Sequence, residues 1–243
     1  MRLDRPVRAV LLDMDGTLYR QDALRLFMAI ELSTLPLAKR SYRAAASVWR
    51  TLQAFRQVRE ELRQVGSPTD SLAELQYVQT AKRVGIDPAT VKLTITEWIF
   101  QRPLKYLRLC RRRGLEAFCM FLGKRNVPIG IFSDYPANEK LQALGLSAGI
   151  KLALCATDSN INAFKPHPKG FLRACAMWGL PPDEVLYVGD RPEVDAAGAV
   201  AAGMLCAIFS KKAWGQAHHD FSDCFTISSF SELHYALLNN VKR

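Results

Sequence analysis

Acidic residues follow two short apolar runs of this 243-residue chain, at spacings that would let their carboxylates act together. Asp13 and Asp15 come directly after the apolar run 7–12, and Asp190 and Asp195 come after a second run. Four carboxylates gathered in one place repel one another, and some stay protonated unless a cation neutralises them. A few oxygen ligands suit Mg²⁺, which keeps several waters and accepts a phosphate oxygen. The acidic residues therefore indicate a magnesium site.

Two other polar residues follow predicted strands. Ser133 comes directly after the apolar run 127–132, and Lys165 lies in Lys-Pro-His-Pro, in the loop beyond the strand predicted at 150–156. In an open parallel sheet, ligands bind beyond the carboxyl ends of the strands. We therefore expect Ser133 and Lys165 to lie near the carboxylates, where a hydroxyl and an ammonium group can bind phosphoryl oxygens.

The elements that must position these residues alternate between strand and helix over most of the chain. Short apolar runs predict strands, and apolar residues three and four apart predict helices. The predicted strands are 7–12, 127–132, 150–156, 185–188 and 204–209, and the predicted helices between them are 137–144, 169–178 and 194–202. This alternation predicts an α/β fold with a doubly wound parallel sheet, covered on both faces.

A long helical segment interrupts this alternation after the first strand. Helical patterns at 24–65, 71–84 and 91–110 separate the first strand from the second by about a hundred residues. We interpret this segment as an all-helical cap subdomain inserted into the core. The predicted boundaries are 1–19 and 114–243 for the core, and 20–113 for the cap.

Composition favours a soluble protein. The chain is 49% hydrophobic and 23% charged, which is typical of a globular protein. No apolar run reaches the roughly 18 residues that a transmembrane helix needs, and the N-terminus lacks the apolar region of a signal peptide. The six cysteines form no C-x-x-C pair, which favours reduced thiols over a zinc site or disulfides. The expected location is the cytoplasm.

The net charge of +10 is concentrated in the helical segment, where residues 20–118 hold 18 Lys/Arg and 9 Asp/Glu. Three interpretations stay open: a solvated helix face, a surface that attracts a multiply anionic or lipid-linked phosphate substrate, and an electrostatic footprint for nucleic acid or a membrane surface. The solvated face has the most support, and nothing firm indicates nucleic acid. The basic residues concerned are Lys39, Arg40, Arg43, Arg50, Arg56, Arg59 and Arg63.

In their order along the chain, the candidate site residues resemble the motifs of the haloacid dehalogenase superfamily. Those motifs are D-x-D-G-T (here 13–17), a Ser or Thr after a strand (Ser133), a Lys (Lys165) and G-D-x-x-x-x-D (189–195). The resemblance covers residues 1–22 and 114–230, but not specific cap residues. It implies a Mg²⁺-dependent phosphohydrolase in which Asp13 attacks phosphorus and forms an aspartyl-phosphate. Asp15 would be the general acid and base.

The same resemblance implies the remaining roles. Ser133 and Lys165 would bind the phosphoryl group. The carboxylate of Asp13, the backbone carbonyl of Asp15, and Asp190 would hold the metal, with Asp195 in support. Gly16 would allow the sharp turn after the first strand.

Asp15 distinguishes members of the superfamily. Its dehalogenases lack an acid at this position, because a leaving halide needs no proton, and P-type ATPases carry Thr there. A phosphomutase is harder to exclude, because phosphomutases of the superfamily have the same core and a similar cap. The insertion point of the helical segment resembles that of phosphoglycolate-phosphatase-like members, whose caps close over small phosphorylated metabolites.

Other residues have ordinary interpretations. Asp134 is expected to be a loop carboxylate, and His167 a loop residue near the site. His218 and His219 are expected at the surface. Three cap aromatics at helical spacing are expected to be mostly core: Trp49, Phe55 and Trp98.

Overall fold

A six-stranded parallel sheet forms the centre of the fold, in the strand order β3-β2-β1-β4-β5-β6. The computed structural model describes residues 6–39, 42–210 and 224–238, and for 35–39 the backbone alone. The strands are β1 (Ala9–Leu12), β2 (Ile129–Ser133), β3 (Leu152–Cys155), β4 (Val185–Gly189), β5 (Leu205–Phe209) and β6 (Cys224–Ile227). The predicted parallel sheet is confirmed. β6 was not predicted.

The inner strands are apolar on both faces because helices cover both faces of the sheet. Every residue of β1, β2, β4 and β5 is buried. Such continuous apolar runs, rather than alternating ones, are typical of strands in a doubly wound parallel sheet.

Ten α-helices are described along the chain, together with short helical segments of other types such as Pro192–Ala196, which carries Asp195. The α-helices are α1 (Gln21–Lys39), α2 (Tyr42–Val65), α3 (Leu72–Val84), α4 (Pro88–Ile95), α5 (Leu104–Cys110), α6 (Leu115–Lys124), α7 (Asn138–Leu144), α8 (Lys169–Trp178), α9 (Ala197–Ala201) and α10 (Phe230–Leu237). Six of them, α1 to α6, lie between β1 and β2, and the first five, α1 to α5, form the inserted helical cap, referred to below as the cap.

The cap has an apolar cluster of its own, separate from the two clusters that pack on the faces of the sheet. Phe55 and Trp98 are buried in it, as expected. Trp49 is not, because half of its surface is exposed. The prediction that Trp49 belongs to the core is therefore wrong. Among the described residues, no helix is both long enough and apolar enough to cross a bilayer.

Candidate active site

The predicted site residues meet at the carboxyl ends of the central strands. Asp13 follows β1, Ser133 ends β2 and Asp190 follows β4. β1 lies between β2 and β4, so the order of the strands reverses at β1. Such a switch point is where doubly wound sheets bind their ligands.

Lys165 connects two of the acidic residues. Its Nζ lies 2.6 Å from Asp13 Oδ1 and 2.7 Å from Asp195 Oδ1, and all three side chains are buried. The hydroxyl of Tyr187 lies 3.0 Å from the same Nζ and donates to Asp195 Oδ1 at 2.8 Å. The sequence did not identify Tyr187 as a site residue, because a tyrosine within the apolar run of β4 cannot be distinguished from an ordinary core residue.

Asp195 has partners on both of its oxygens. Oδ1 accepts from Lys165 and Tyr187, while Oδ2 accepts from the backbone N–H groups of Asp190 and Arg191 at 3.1 and 3.0 Å. Its carboxylate therefore braces the loop that carries Asp190. This geometry agrees with a supporting position.

Two carboxylate oxygens at the site are buried without a hydrogen-bond partner: Asp13 Oδ2 and Asp190 Oδ1. Asp13, Asp190 and Asp195 each place one oxygen so that all three lie within 4.8 Å of one another. Buried polar atoms are rarely left unpaired, so these two oxygens are suited to binding a cation. An all-oxygen set of this size fits Mg²⁺.

Electrostatics support the same interpretation. Burial raises the pKa of Asp190 to about 7, with Asp195 adding to the rise. Burial also raises the pKa of Asp13; the Lys165 ammonium opposes this, while Asp195 and Asp190 reinforce it. Burial alone would lower the pKa of Lys165, but Asp13 and Asp195 raise it, so Lys165 is charged. One ammonium beside three carboxylates leaves negative charge that a divalent cation would neutralise.

Gly16 occupies a position that no other residue fits. Its φ is +102°, and a Cβ there would lie 2.0 Å from Asp190 Oδ2. The predicted sharp turn is confirmed, and it lets the loop after β1 approach Asp190 closely. Arg112 holds this turn by donating from Nε and Nη2 to the Gly16 carbonyl at 2.9 and 2.6 Å.

The carboxylate of Asp15 is held by two donors that the sequence analysis missed. Lys140 Nζ lies 2.6 and 2.9 Å from its two oxygens, and the Tyr19 hydroxyl donates to Oδ1. Lys140 belongs to α7 and is only 4% exposed. A lysine so deeply buried needs a charged partner, and Asp15 provides it.

Asp134 is more than an ordinary loop carboxylate. Its side chain is 12% exposed and forms an ion pair with Arg63 Nη2 of α2 at 2.9 Å. It also accepts from the backbone N–H of Lys165 at 3.3 Å, and Arg63 donates to the Lys165 carbonyl. The expectation for Asp134 is therefore wrong. Its pKa is lowered because Lys165, Arg63 and Arg59 together outweigh the effect of burial.

Some of the basic residues considered for an exposed face of the cap do not face solvent. Arg59 is only 3% exposed and donates to Gln76 and to the Asp134 carbonyl. Its guanidinium carbon lies 4.0 Å from the ring centroid of Tyr135 and 4.3 Å from that of Phe164. Of the predicted basic residues whose side chains the structure describes, Arg43, Arg50 and Arg56 are exposed, whereas Arg59 and Arg63 contact core loops. The side chains of Lys39 and Arg40 lie outside the described residues.

The three remaining predictions concern histidines. His167 Nδ1 accepts from the backbone N–H of Lys169 at 3.2 Å, in the turn before α8. It does not line the cavity that contains Asp13. His218 and His219 lie outside the described residues.

A cavity of about 510 Å³ opens between the cap and the carboxyl ends of the strands. Its volume is in the range of small-molecule sites. The predicted site residues all line its floor: Asp13, Asp15, Ser133, Lys165, Asp190 and Asp195. Residues of α1 and α2 form its walls. The arrangement can hold a phosphate group, a cation and an attached organic group at the same time.

Comparison with known proteins identifies relatives over most of the chain. Residues 7–203 match the sequence profile of the family described as haloacid dehalogenase-like hydrolase. A glyceraldehyde 3-phosphate phosphatase of Methanopyrus kandleri is 26% identical over 211 residues, which is 82% of each chain.

Solved structures show the same fold. A 2-haloacid dehalogenase from Pseudomonas syringae pv. Tomato has a TM-score of 0.66 at 21% identity, covering 95% of this chain and 98% of that one. A HAD phosphatase from Thermococcus onnurineus has a TM-score of 0.64 at 22% identity, covering 98% and 100%. At such identities these matches establish the fold alone.

Proposed function

Because this chain belongs to the haloacid dehalogenase-like hydrolase family, we propose that it is a Mg²⁺-dependent phosphatase that cleaves phosphomonoesters. The observation that carries the proposal is the pair of orphaned, buried oxygens on Asp13 and Asp190, at the floor of a cavity large enough for an organic phosphate. Asp15 supplies the acid that an alcohol leaving group requires and a halide does not.

In the first step, an oxygen of the Asp13 carboxylate attacks phosphorus. The bond between phosphorus and the ester oxygen breaks, and Asp15 gives a proton to the departing alcohol. Lys165 holds Asp13 in position through its contact with Oδ1. Ser133 lies at the end of β2 and, with Lys165, binds the phosphoryl oxygens.

In the second step, Asp15 removes a proton from water, whose oxygen bonds to phosphorus as the Asp13–phosphorus bond breaks. This returns Asp13 to its free carboxylate and releases phosphate. The residues that would hold Mg²⁺ are Asp13, Asp190 and the backbone carbonyl of Asp15, with Asp195 bracing the loop. Bound Mg²⁺ would offset the repulsion between the Asp13 carboxylate and the phosphate, and the charge that develops during transfer.

The substrate would be a phosphomonoester that fits between cap and core, and similarity to the glyceraldehyde 3-phosphate phosphatase of Methanopyrus supports this class of substrate. We further propose the division into core (1–19 and 114–243) and cap (20–113). We place the protein in the cytoplasm, because all six cysteines are free thiols, as in proteins of reducing compartments.

The direct test is phosphate release from 4-nitrophenyl phosphate. We expect turnover that needs added Mg²⁺, stops in excess chelator and is lost in Asp13→Asn, which keeps the size of the side chain but removes the nucleophile. Asp183→Asn, at an exposed carboxylate that does not line the cavity, is the matched control and should keep full activity. Full turnover in chelator would contradict the metal assignment.

The same assay separates the alternatives. A phosphomutase would move the phosphoryl group within a substrate without releasing phosphate in proportion. A binding protein with an inactive core would bind RNA or acidic vesicles in a salt-dependent way and release no phosphate.

A further inference from the structure

The walls of the cavity are lined by side chains on one face of α1 and on one face of α2. On α1 the lining residues Gln21, Arg25, Met28 and Leu32 recur at intervals of three or four. A spacing of this kind places side chains on one face of a helix. The lining residues of α2 do the same: Trp49, Leu52, Gln53, Arg56, Glu60 and Arg63. We call the space between these two faces the cap slot.

The ends of the cap slot differ in their distance from the catalytic floor. Gln21 begins α1, shortly after the D-x-D-G-T loop, and Arg63 of α2 contacts Asp134 and the Lys165 backbone. Leu32 and Trp49 lie at the far end. At about 1.5 Å per helical residue, Leu32 is roughly 16 Å from Gln21 along α1, and Trp49 roughly 21 Å from Arg63 along α2.

The chemistry of the walls changes along this length. Near the floor the lining is mostly polar, with Gln21, Arg25, Glu60 and Arg63 beside the apolar Leu24, and Arg56 lies about halfway along the slot. Within the described residues, neither Arg25 nor Arg56 has a carboxylate at ion-pair distance, and Arg25 instead donates to Gln21 at 2.8 Å. Toward the far end the lining is mostly apolar, with Met28, Ala29, Leu32, Trp49, Leu52 and Trp98 beside the polar Gln53.

Packing within the cap accounts for Leu52 and Trp98, which are buried in the cap cluster, and for Met28 and Leu32, which pack against it, but not for the other two residues. Trp49 is 50% exposed although it faces the cavity, and Ala29 is also exposed. Exposed apolar surface that continues from a catalytic cavity indicates a binding surface. A short polar phosphate ester would fill only the floor and would leave these side chains in contact with water.

We propose that the natural substrate is an amphipathic phosphomonoester. Its phosphate binds at Asp13, its polar linking atoms meet Arg25 and Arg56, and an apolar chain extends along the cap slot toward Leu32 and Trp49. This inference rests on the proposed phosphatase function. It names the substrate class that the slot selects.

The test is a homologous series of n-alkyl phosphates, from ethyl to decyl phosphate, each assayed below its micelle concentration with Mg²⁺. Burying one methylene group should lower KM about fourfold, until the chain reaches the end of the slot. The contacts are equal in the ground state and the transition state, so kcat should change little along the series.

Two variants locate the effect in the slot. Trp49→Ala should raise KM for decyl phosphate several-fold and leave ethyl phosphate unchanged. Ala29→Trp should fill the slot and bring KM for decyl phosphate close to that for ethyl phosphate. Leu26→Trp is the control, because Leu26 is exposed on the same helix outside the cavity lining.

The outcomes of this test separate the inference about the substrate from the proposed phosphatase function. Hydrolysis of all the esters with the same KM would overturn the inference and leave the phosphatase function intact. A chain-length effect that survives both slot variants would place the apolar group elsewhere and would also overturn it. Hydrolysis of none of the alkyl esters would overturn the inference, and the phosphatase function would fall with it only if 4-nitrophenyl phosphate also released no phosphate.

Discussion

At the scale of single residues, the carboxylate of Asp15 is held by Lys140 and Tyr19. Both donors fix the direction in which the carboxylate faces the cavity. A general acid and base must lie within hydrogen-bond reach of the proton that it transfers, so its orientation determines its efficiency.

Asp15→Asn should lower kcat on alkyl phosphates by roughly 10²–10⁴-fold, because an amide can neither give nor accept the proton in these steps. A good leaving group needs no proton. The first step with 4-nitrophenyl phosphate should therefore survive, and release of the first equivalent of phenol should stay fast. Steady-state assays on hexyl phosphate and stopped-flow assays on the aryl ester measure the two effects. Near-wild-type turnover of hexyl phosphate would refute the assignment of Asp15.

Lys140→Met should reproduce this leaving-group pattern with a smaller loss, because Lys140 acts through Asp15. We expect kcat to fall more for hexyl phosphate than for 4-nitrophenyl phosphate, with Lys140→Arg restoring part of the rate. The double variant with Asp15→Asn should be no slower than Asp15→Asn alone. Equal losses on both esters would show that Lys140 does not act through Asp15.

Motif spacing could predict Asp13, Asp15 and Asp190 because each lies within three residues of a strand end at the switch point of the sheet, and Asp195 because it follows the end of β4 by six residues. Lys140 could not be predicted in this way. It lies on a helix, where lysines are usually solvated, and its burial depends on how α7 packs beside the loop after β1.

At the scale of elements, α2 fastens the cap to the catalytic loops. Arg63 pairs with Asp134 and donates to the Lys165 carbonyl, and Arg59 donates to the Asp134 carbonyl at 2.7 Å. Asp134 directly follows Ser133, so one helix supports both loops that are proposed to bind the phosphoryl group. The position of the cap and the geometry of the floor are thus coupled.

Arg63→Ala should reduce the free energy of unfolding by roughly 3 kcal/mol, because it removes the ion-pair partner of the mostly buried Asp134 carboxylate and leaves only the more indirect effects of Lys165 and Arg59. Arg83→Ala removes a cap arginine whose ion pair with Glu61 is exposed, and should leave the unfolding midpoint almost unchanged. Urea unfolding of the two variants measures the difference. If both variants unfold at the wild-type midpoint, α2 does not fasten the cap.

The elements themselves were mostly predictable, and the contacts between them were not. The helix predicted at 169–178 is confirmed as α8, and four inner strands were predicted from their apolar runs. β6 was missed because three of its four residues are only half-buried and the run is short. Arg59 and Arg63 were assigned to a basic face because helical spacing shows which residues share a side, not which side meets the core.

At the scale of the whole molecule, buried negative charge at the floor opposes folding unless a proton or a cation neutralises it. The pKa of Asp190 is raised to about 7, above its ordinary value near 4. Between pH 4 and 7 the folded state therefore holds a proton that the unfolded chain has released. Without a cation, this carboxyl makes the protein less stable as pH rises through that window.

Mg²⁺ should reverse this trend because it takes the place of the proton. Its apparent affinity should weaken about tenfold for each pH unit below 7, since Asp190 must lose a proton to bind it. Thermal unfolding with increasing Mg²⁺ should show a larger stabilisation at pH 8 than at pH 6. In Asp190→Asn the stabilisation should be small at both values, and a larger stabilisation at pH 6 in the wild type would contradict the account.

The central claim is that Asp13 carries the phosphoryl group between two steps, and the Asp15→Asn variant tests it most directly. The variant is mixed with 4-nitrophenyl phosphate and Mg²⁺, quenched in acid within the first turnover, and analysed by intact mass and peptide mapping. The account predicts a burst of one phenol per site and a gain of one phosphoryl group on the peptide that contains Asp13, because hydrolysis of the intermediate lacks its base. Release of a full equivalent of phenol with no phosphoryl group on Asp13 would contradict it.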